Sequence, residues 1–309
     1  MNLVFAGTPA FVVPALEALI RAGHKILAVY TQPDRPAGRG RRLAAGPVKE
    51  FALAHGLEVR QPERLQGRAG ELRALNPEAM IVIAYGVILP PDVLAVPKYG
   101  CLNVHASLLP RWRGAAPIAR ALEAGDTVTG VTVMQMDAGL DTGPMLLKAE
   151  TPIRDTDTAQ TLHDRLAEIG AQTLVAALEQ LGRGALRPEP QNAAQAGYAK
   201  KLKKEEARID WSAPAAVIHR KIRAFNPYPV ACTAFNGRVL RLWEVGPLEP
   251  APTRGTPGEI VRADAGGIRV RAGDAIVNVT RLQAEGAKAL SAAEFLNGTR
   301  LAPGDRLGA

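Results

Sequence analysis

Within the apolar run CLNVH (101–105), Asn103 and His105 stand two positions apart. In an extended strand that spacing puts both side chains on one face. An amide donates hydrogen bonds to developing negative charge, and an imidazole exchanges a proton near neutral pH. A third reactive residue, Asp141, sits in DAGLDTGPM (137–145) between Gly139 and Gly143, which permit a tight turn. Asn, His and Asp together would suit a proton-transfer site with electrostatic help. Each also has an ordinary reading: the pair as a buried polar cluster, the aspartate as a local turn cap. The spacing alone does not establish that the three meet.

Other chemistries find no support in the motifs. No G-x-x-x-x-G-K-[ST] sequence is present, and AGTPAF (6–11) lacks the G-x-G-x-x-G spacing of a dinucleotide site. The 5 histidines are scattered and Cys101 and Cys232 lie far apart, so no zinc-ligand spacing or disulfide framework appears. There is no G-x-S-x-G elbow. We therefore expect a metal-free acid–base site and two ordinary thiols in a reducing compartment.

The elements that must carry these residues alternate as in a parallel sheet with crossover helices. LVFAG (3–7), KILAVY (25–30), AMIVIAY (79–85) and CLNVH read as strands. Helices are expected over 9–23, 47–56 and around 63–75. TGVTVMQM (129–136) and PMLLKAE (144–150) follow as strands, then a long amphipathic helix over about 158–181, capped by Asp157 or Thr158. Ligands in open α/β sheets bind beyond the carboxyl ends of strands, where Asn103 and His105 would lie. Between the second strand and its helix, QPDRPAGRGRRLAAGP (32–47) carries Pro and Gly that argue against regular helix or strand.

The pattern changes after Gly182. GRGALRPEPQNAAQAGYAKKLKKEEARIDW (182–211) shows no helical or strand period and reads as a linker. A helix over 213–224 then precedes VACTAF, RVLRLWEV, GEIVRA, GIRVRA and AIVNVTRL, short strands at the spacing of a small antiparallel barrel. The formal net charge is +8, and residues 191–309 hold 18 Lys and Arg against 11 Asp and Glu, whereas the first 190 residues hold 20 against 19. A polyanionic partner for the C-terminal part would account for that asymmetry. No stretch reaches the length of a membrane span. The apolar N-terminus lacks a basic n-region and is interrupted by Gly7-Thr8-Pro9, so a cytoplasmic protein is expected.

The segment Asn103-Val-His105-Ala-Ser107-Leu-Leu-Pro110-Arg-Trp-Arg-Gly114, followed by Asp137-x-Gly-x-Asp141-x-Gly143, strongly resembles the signature of the folate-dependent formyltransferases. Ala106 departs from the Gly common in that family, a conservative change. FAGTPAF resembles the opening of the family's catalytic domain, and TQPDRPAGRGRRL (31–43) the basic loop of its members that act on methionyl-tRNA. KLKKEEARIDW (201–211) and RAFNPYP (223–229) resemble their linker and C-terminal entry. The resemblance implies Asn103, His105 and Asp141 as the catalytic set, with Ser107, Leu108, Leu109 and Pro110 contacting the folate. It implies a Rossmann-like α/β catalytic domain over 1–189, a linker over 190–206, and an OB-like β-barrel over 207–309 that binds tRNA. Arg39, Arg41 and Arg42, with Lys201, Lys203 and Lys204, are then the expected tRNA contacts. The donor would be 10-formyltetrahydrofolate, the acceptor initiator methionyl-tRNA, and the protein a monomer. A formyltransferase for a small amine, glycinamide ribonucleotide or an amino sugar, would share the catalytic three without needing the basic loop or the cationic C-terminal part.

Overall fold

The computed structural model describes residues 1–37, 42–250 and 255–308. The chain forms two compact units, one of Met1–Pro117, Val128–Pro152 and His163–Ala199, the other of Ile118–Thr127, Ile153–Leu162 and Lys200–Ala309.

The first unit contains strands β1 (Asn2–Gly7), β2 (Lys25–Tyr30), β3 (Arg35–Ala37), β4 (Arg42–Ala44), β5 (Val59–Arg60) and β6 (Ala79–Ile83). After them come β7 (Cys101–His105), β8 (Arg113–Gly114), β9 (Val128–Gln135), β10 (Met145–Pro152) and β11 (Tyr198–Ala199). Helices α1 (Val13–Arg21), α2 (Pro47–Ala54), α3 (Ala69–Leu75) and α4 (Pro91–Leu94) alternate with them; α5 (Pro117–Ala124) belongs to the second unit from Ile118 on, and α6 (Ala159–Gly182) to the first unit from His163 on. The principal sheet runs β10-β9-β7-β6-β1-β2-β5. Its interior strand β1 buries Leu3, Val4, Phe5 and Ala6 completely. A strand covered on both faces reads as a continuous apolar run, which is why LVFAG shows no alternation.

From β7 to β5 all neighbours are parallel, the arrangement expected from the alternation. The last two strands are not: β9 runs antiparallel to both β7 and β10. The turn joining β9 to β10 is too short for a crossover helix, so these strands can only reverse. Helix α6 begins as the sequence suggested, with the Thr158 hydroxyl accepting from the Thr161 N–H and the Thr161 hydroxyl donating to Asp157 Oδ1.

Two segments differ from expectation. The flanks of the basic loop pair as an antiparallel hairpin, Arg35 opposite Ala44 and Ala37 opposite Arg42, despite Pro36 and the glycines. Pro tolerates such a short edge position, where no ladder donor is required of it. Residues 190–206, read as irregular, contain a one-turn 3-10 helix (Ala193–Gln195), strand β11 paired in parallel with β8, and part of a second 3-10 turn (Lys204–Ala207).

In the second unit, helix α7 (Ala215–Ala224) leads into β12 (Cys232–Phe235), β13 (Arg238–Val245), β14 (Glu249–Pro250), β15 (Ile260–Asp264), β16 (Gly267–Arg271), β17 (Ala275–Ala284) and β18 (Leu290–Ser291). Helix α8 (Ala292–Gly298) follows β18. The main order is β12-β13-β17-β16-β15, every neighbour antiparallel. Asn236 and Gly237 both take positive φ, 51° and 73°, the requirement of a two-residue hairpin turn between β12 and β13. Leu242, Val270, Val279 and Leu282 face inward with Ile218 and Ile222 of α7 to form the core. Helix α8 was not anticipated, although Ser291 and Glu294 form the capping box that marks its start. The fold class is thus the expected one, a Rossmann-like sheet followed by an antiparallel β unit. Among the described residues, no helix is long and apolar enough to cross a membrane.

Candidate active site

Strand β7 is flanked by β6 and β9 and delivers Asn103 and His105 toward its carboxyl end. His105 is 6% exposed. Its Nε2 lies 2.9 Å from the Trp112 carbonyl oxygen. A carbonyl only accepts, so Nε2 carries the hydrogen and neutral His105 presents a lone pair on Nδ1. Nδ1 in turn lies 3.7 Å from Asp141 Oδ2. Asn103 donates to the other carboxylate oxygen, Oδ1, at 3.5 Å. The three side chains singled out by type and spacing are therefore neighbours.

Asp141 is held from several directions. Its φ of 51° is a left-handed conformation that few residues other than Gly adopt freely. The Gly114 N–H donates to Oδ2 at 2.8 Å. Gly114 itself has φ of 114°, and a Cβ there would come within 2.9 Å of the Ala199 carbonyl oxygen, so glycine is needed for the close approach. Gln191 donates to the Asp141 and Gly143 carbonyl oxygens at 2.8 and 2.7 Å. Arg113, 5% exposed, donates to Gln191 Oε1 from Nε and Nη2. Sequence reasoning missed Gln191, a lone amide in a Pro- and Gln-rich stretch with no periodic signal.

The turn after β7 is pinned by Thr132, a fully buried residue of β9. Its hydroxyl donates to the Ser107 carbonyl at 2.7 Å and accepts from the Leu109 N–H at 3.1 Å. Ser107 is fully buried and donates to the Arg111 carbonyl, and Leu109 packs with Met134 and Met145. Of the expected folate contacts, Leu108 and Pro110 are thus the partly exposed side chains, while Ser107 and Leu109 shape the turn from inside. Lys201, Lys203 and Lys204 are exposed. Arg39 and Arg41 lie outside the described residues, and Arg42 is described as backbone of β4.

With a carboxylate, an imidazole and an amide converging, the site can accept a proton from a nucleophile and stabilise an oxyanion. The sequence matches the formyl transferase model over residues 1–178 and the formyl transferase C-terminal domain model over 201–300. The chain belongs to the formyl transferase family. Among its relatives in that family, the methionyl-tRNA formyltransferase of Stutzerimonas stutzeri is 52% identical, covering 100% of this chain and 98% of that protein. The methionyl-tRNA formyltransferase of Chromobacterium violaceum is 53% identical over 100% of both. HypX from Aquifex aeolicus, solved in complex with tetrahydrofolic acid, superposes with a TM-score of 0.66 at 20% identity; it matches 98% of this chain, which spans about half (48%) of HypX. That likeness is one of fold. The Asn103–His105–Asp141 cluster of this formyl transferase lies in the stretch, 1–178, matched by the first of these models.

Proposed function

We propose that this formyl transferase moves the formyl group of 10-formyltetrahydrofolate onto the free amino group of methionine carried by initiator tRNA, in the cytoplasm. The observation that carries the chemistry is the meeting of Asn103, His105 and Asp141 at the end of β7. A folate fits the chemistry of the donor set, and the loops after β6 and β9 carry the exposed apolar side chains of Ile88 and Leu140, of a kind suited to a flat ring. When bound, that carrier supplies the activated formyl carbon. With one amide hydrogen on Asp141 Oδ1, Asn103 donates the other to the formyl oxygen as negative charge develops there. Asp141 orients His105, whose Nδ1 lone pair takes the proton that the attacking amine must lose and returns it to the folate nitrogen as the bond from that nitrogen to the formyl carbon breaks.

Residues 1–189 would hold folate and the chemistry, with 190–206 as the linker and 207–309, as an OB-like domain, gripping tRNA. The supporting observations are the positive excess of the C-terminal part and the exposure of Lys201, Lys203 and Lys204. Beside these lysines, Glu206 is drawn off by Arg120, at 2.8 Å, and by the Lys203 N–H, which leaves less carboxylate to neutralise them. Arg39, Arg41 and Arg42 would contact the acceptor stem.

The test is a formylation assay with 10-formyltetrahydrofolate and three acceptors: charged initiator tRNA, glycinamide ribonucleotide and a nucleotide-linked amino sugar. The expected result is turnover of methionyl-tRNA alone. Efficient formylation of either small amine, with methionyl-tRNA untouched, would overturn the reading.

A further inference from the structure

We infer that Gln191, anchored by Arg113, is a positioning residue that sets the catalytic carboxylate of Asp141. The inference rests on the reaction proposed above and assigns a role within it to residues that the catalytic three do not include.

The turn between β9 and β10 holds Asp141 at φ 51°, a conformation that a non-glycine residue keeps only when its surroundings impose it. One amide group holds the turn on both sides of Thr142. The two hydrogens of Gln191 Nε2 go to the carbonyl oxygens of Asp141 and Gly143, at 2.8 and 2.7 Å, so a single nitrogen ties both sides of Thr142. The amide's orientation is fixed in turn. Its Oε1 accepts from Arg113 Nε at 2.9 Å and from Nη2 at 2.8 Å, a forked contact from an arginine that is itself 5% exposed. An amide gripped at its oxygen by a buried fork cannot flip, and its nitrogen is left to face the turn.

The neighbouring residue completes the arrangement. Gly114 donates its N–H to Asp141 Oδ2 at 2.8 Å. The two-residue strand β8, Arg113–Gly114, therefore reaches Asp141 by two routes: directly to the carboxylate through Gly114, and to the main chain through Arg113 and Gln191. Strand β8 is paired with β11, so the chain following Gln191 returns to hold the strand on which Gln191 depends. The main chain and one carboxylate oxygen are both fixed, which leaves Oδ2 at 3.7 Å from His105 Nδ1 and Oδ1 within reach of Asn103. The stretch 191–199, read from sequence as linker, thus belongs to the machinery that aims Asp141.

Gln191→Ala removes both ends of the contact. Gln191→Glu fills the same volume and keeps an acceptor for Arg113, but has no hydrogens for the two carbonyls. If the amide acts by aiming Asp141, both variants lose kcat by about 10-fold to 100-fold, the effect of displacing a reacting group by about 1 Å. KM for both substrates stays within about 2-fold, because neither substrate is held by this amide. Arg113→Met, which keeps the apolar stem, lowers kcat in the parent and adds nothing in the Gln191→Ala background, since its effect runs through Gln191. Parental kcat in Gln191→Glu would overturn the inference. So would additive losses in the double variant, the signature of independent structural damage. Amide hydrogen exchange supplies a readout that needs no turnover: in Gln191→Ala exchange rises across 137–144 and stays unchanged across 101–105. Unchanged exchange in 137–144 would overturn the positioning role. An inactive parent enzyme would instead count against the proposed reaction, with the positioning role still decided by exchange.

Discussion

His105 donates from Nε2 to the Trp112 carbonyl, so its chemistry is confined to Nδ1, the nitrogen that faces Asp141. Asn103 contributes in a different manner, since an amide does not titrate and can only donate or accept hydrogen bonds. The three residues accordingly differ in what their removal should do. His105→Ala and Asp141→Ala remove proton transfer, and Asn103→Ala removes an oxyanion donor; each should lower kcat by about two orders of magnitude or more. Folding should be largely retained, because Asn103 and Asp141 are partly exposed and none of the three anchors an apolar cluster. Circular dichroism and kcat measured together check this. Near-parental turnover in Asn103→Ala would remove it from the oxyanion role.

At the scale of elements, the paired arms β3 and β4 fix the base of the basic loop between Arg35 and Ala44. Arginines as close in sequence as Arg35, Arg39, Arg41 and Arg42 repel one another until an anion approaches, and Arg can fork onto phosphate or a guanine edge. Arg39→Ala should therefore reduce kcat/KM on initiator methionyl-tRNA strongly, leave folate affinity intact and narrow the preference over elongator tRNA. Equal kcat/KM for variant and parent would place the loop off the tRNA. The exposed lysines beside the 3-10 turn at Lys204–Ala207 make a separate prediction. Changing Lys201, Lys203 and Lys204 together to Ala should weaken tRNA binding and reduce the slope of log affinity against log salt by up to about three units, about one per phosphate neutralised. An unchanged slope would exclude these lysines from the interface.

Stability of the whole molecule should depend on pH through a half-buried histidine. His219, on α7, donates from Nε2 to the Gly246 carbonyl at 3.2 Å. Burial holds its pKa below the ordinary imidazole value of 6.5, and the nearby Arg223 and Arg220 push the same way, against opposing contributions from the Gly246 hydrogen bond and Asp155. A histidine whose folded pKa is depressed stabilises the fold above its unfolded value, and that contribution is lost as pH falls below 6.5 through the folded value. The Tm should thus decline between about pH 7 and pH 5. His219→Gln keeps a donor for Gly246 but does not titrate, so its Tm should decline less over the same range. Parallel curves for variant and parent would show that another group governs the acid limb.

Strand positions were legible in the sequence because burial on both faces leaves an apolar run, as in LVFAG and AMIVIAY, and a half-buried strand leaves alternation. The shared face of Asn103 and His105 follows from strand geometry alone. So does the change of architecture after Gly182, where turn residues begin to punctuate short β-rich segments. What only the tertiary structure decided is which distant segments meet. Asp141 reaches His105 because β9 reverses beside β7, and a strand's direction is set by the length of its connection and by its neighbours, not by its own composition. The pairing of β8 with β11 rests on backbone N–H and carbonyl groups that nearly every residue carries, so no residue type announces it. Gln191 is a plain amide in a polar stretch. Its place beside Asp141 exists only once β11 has docked.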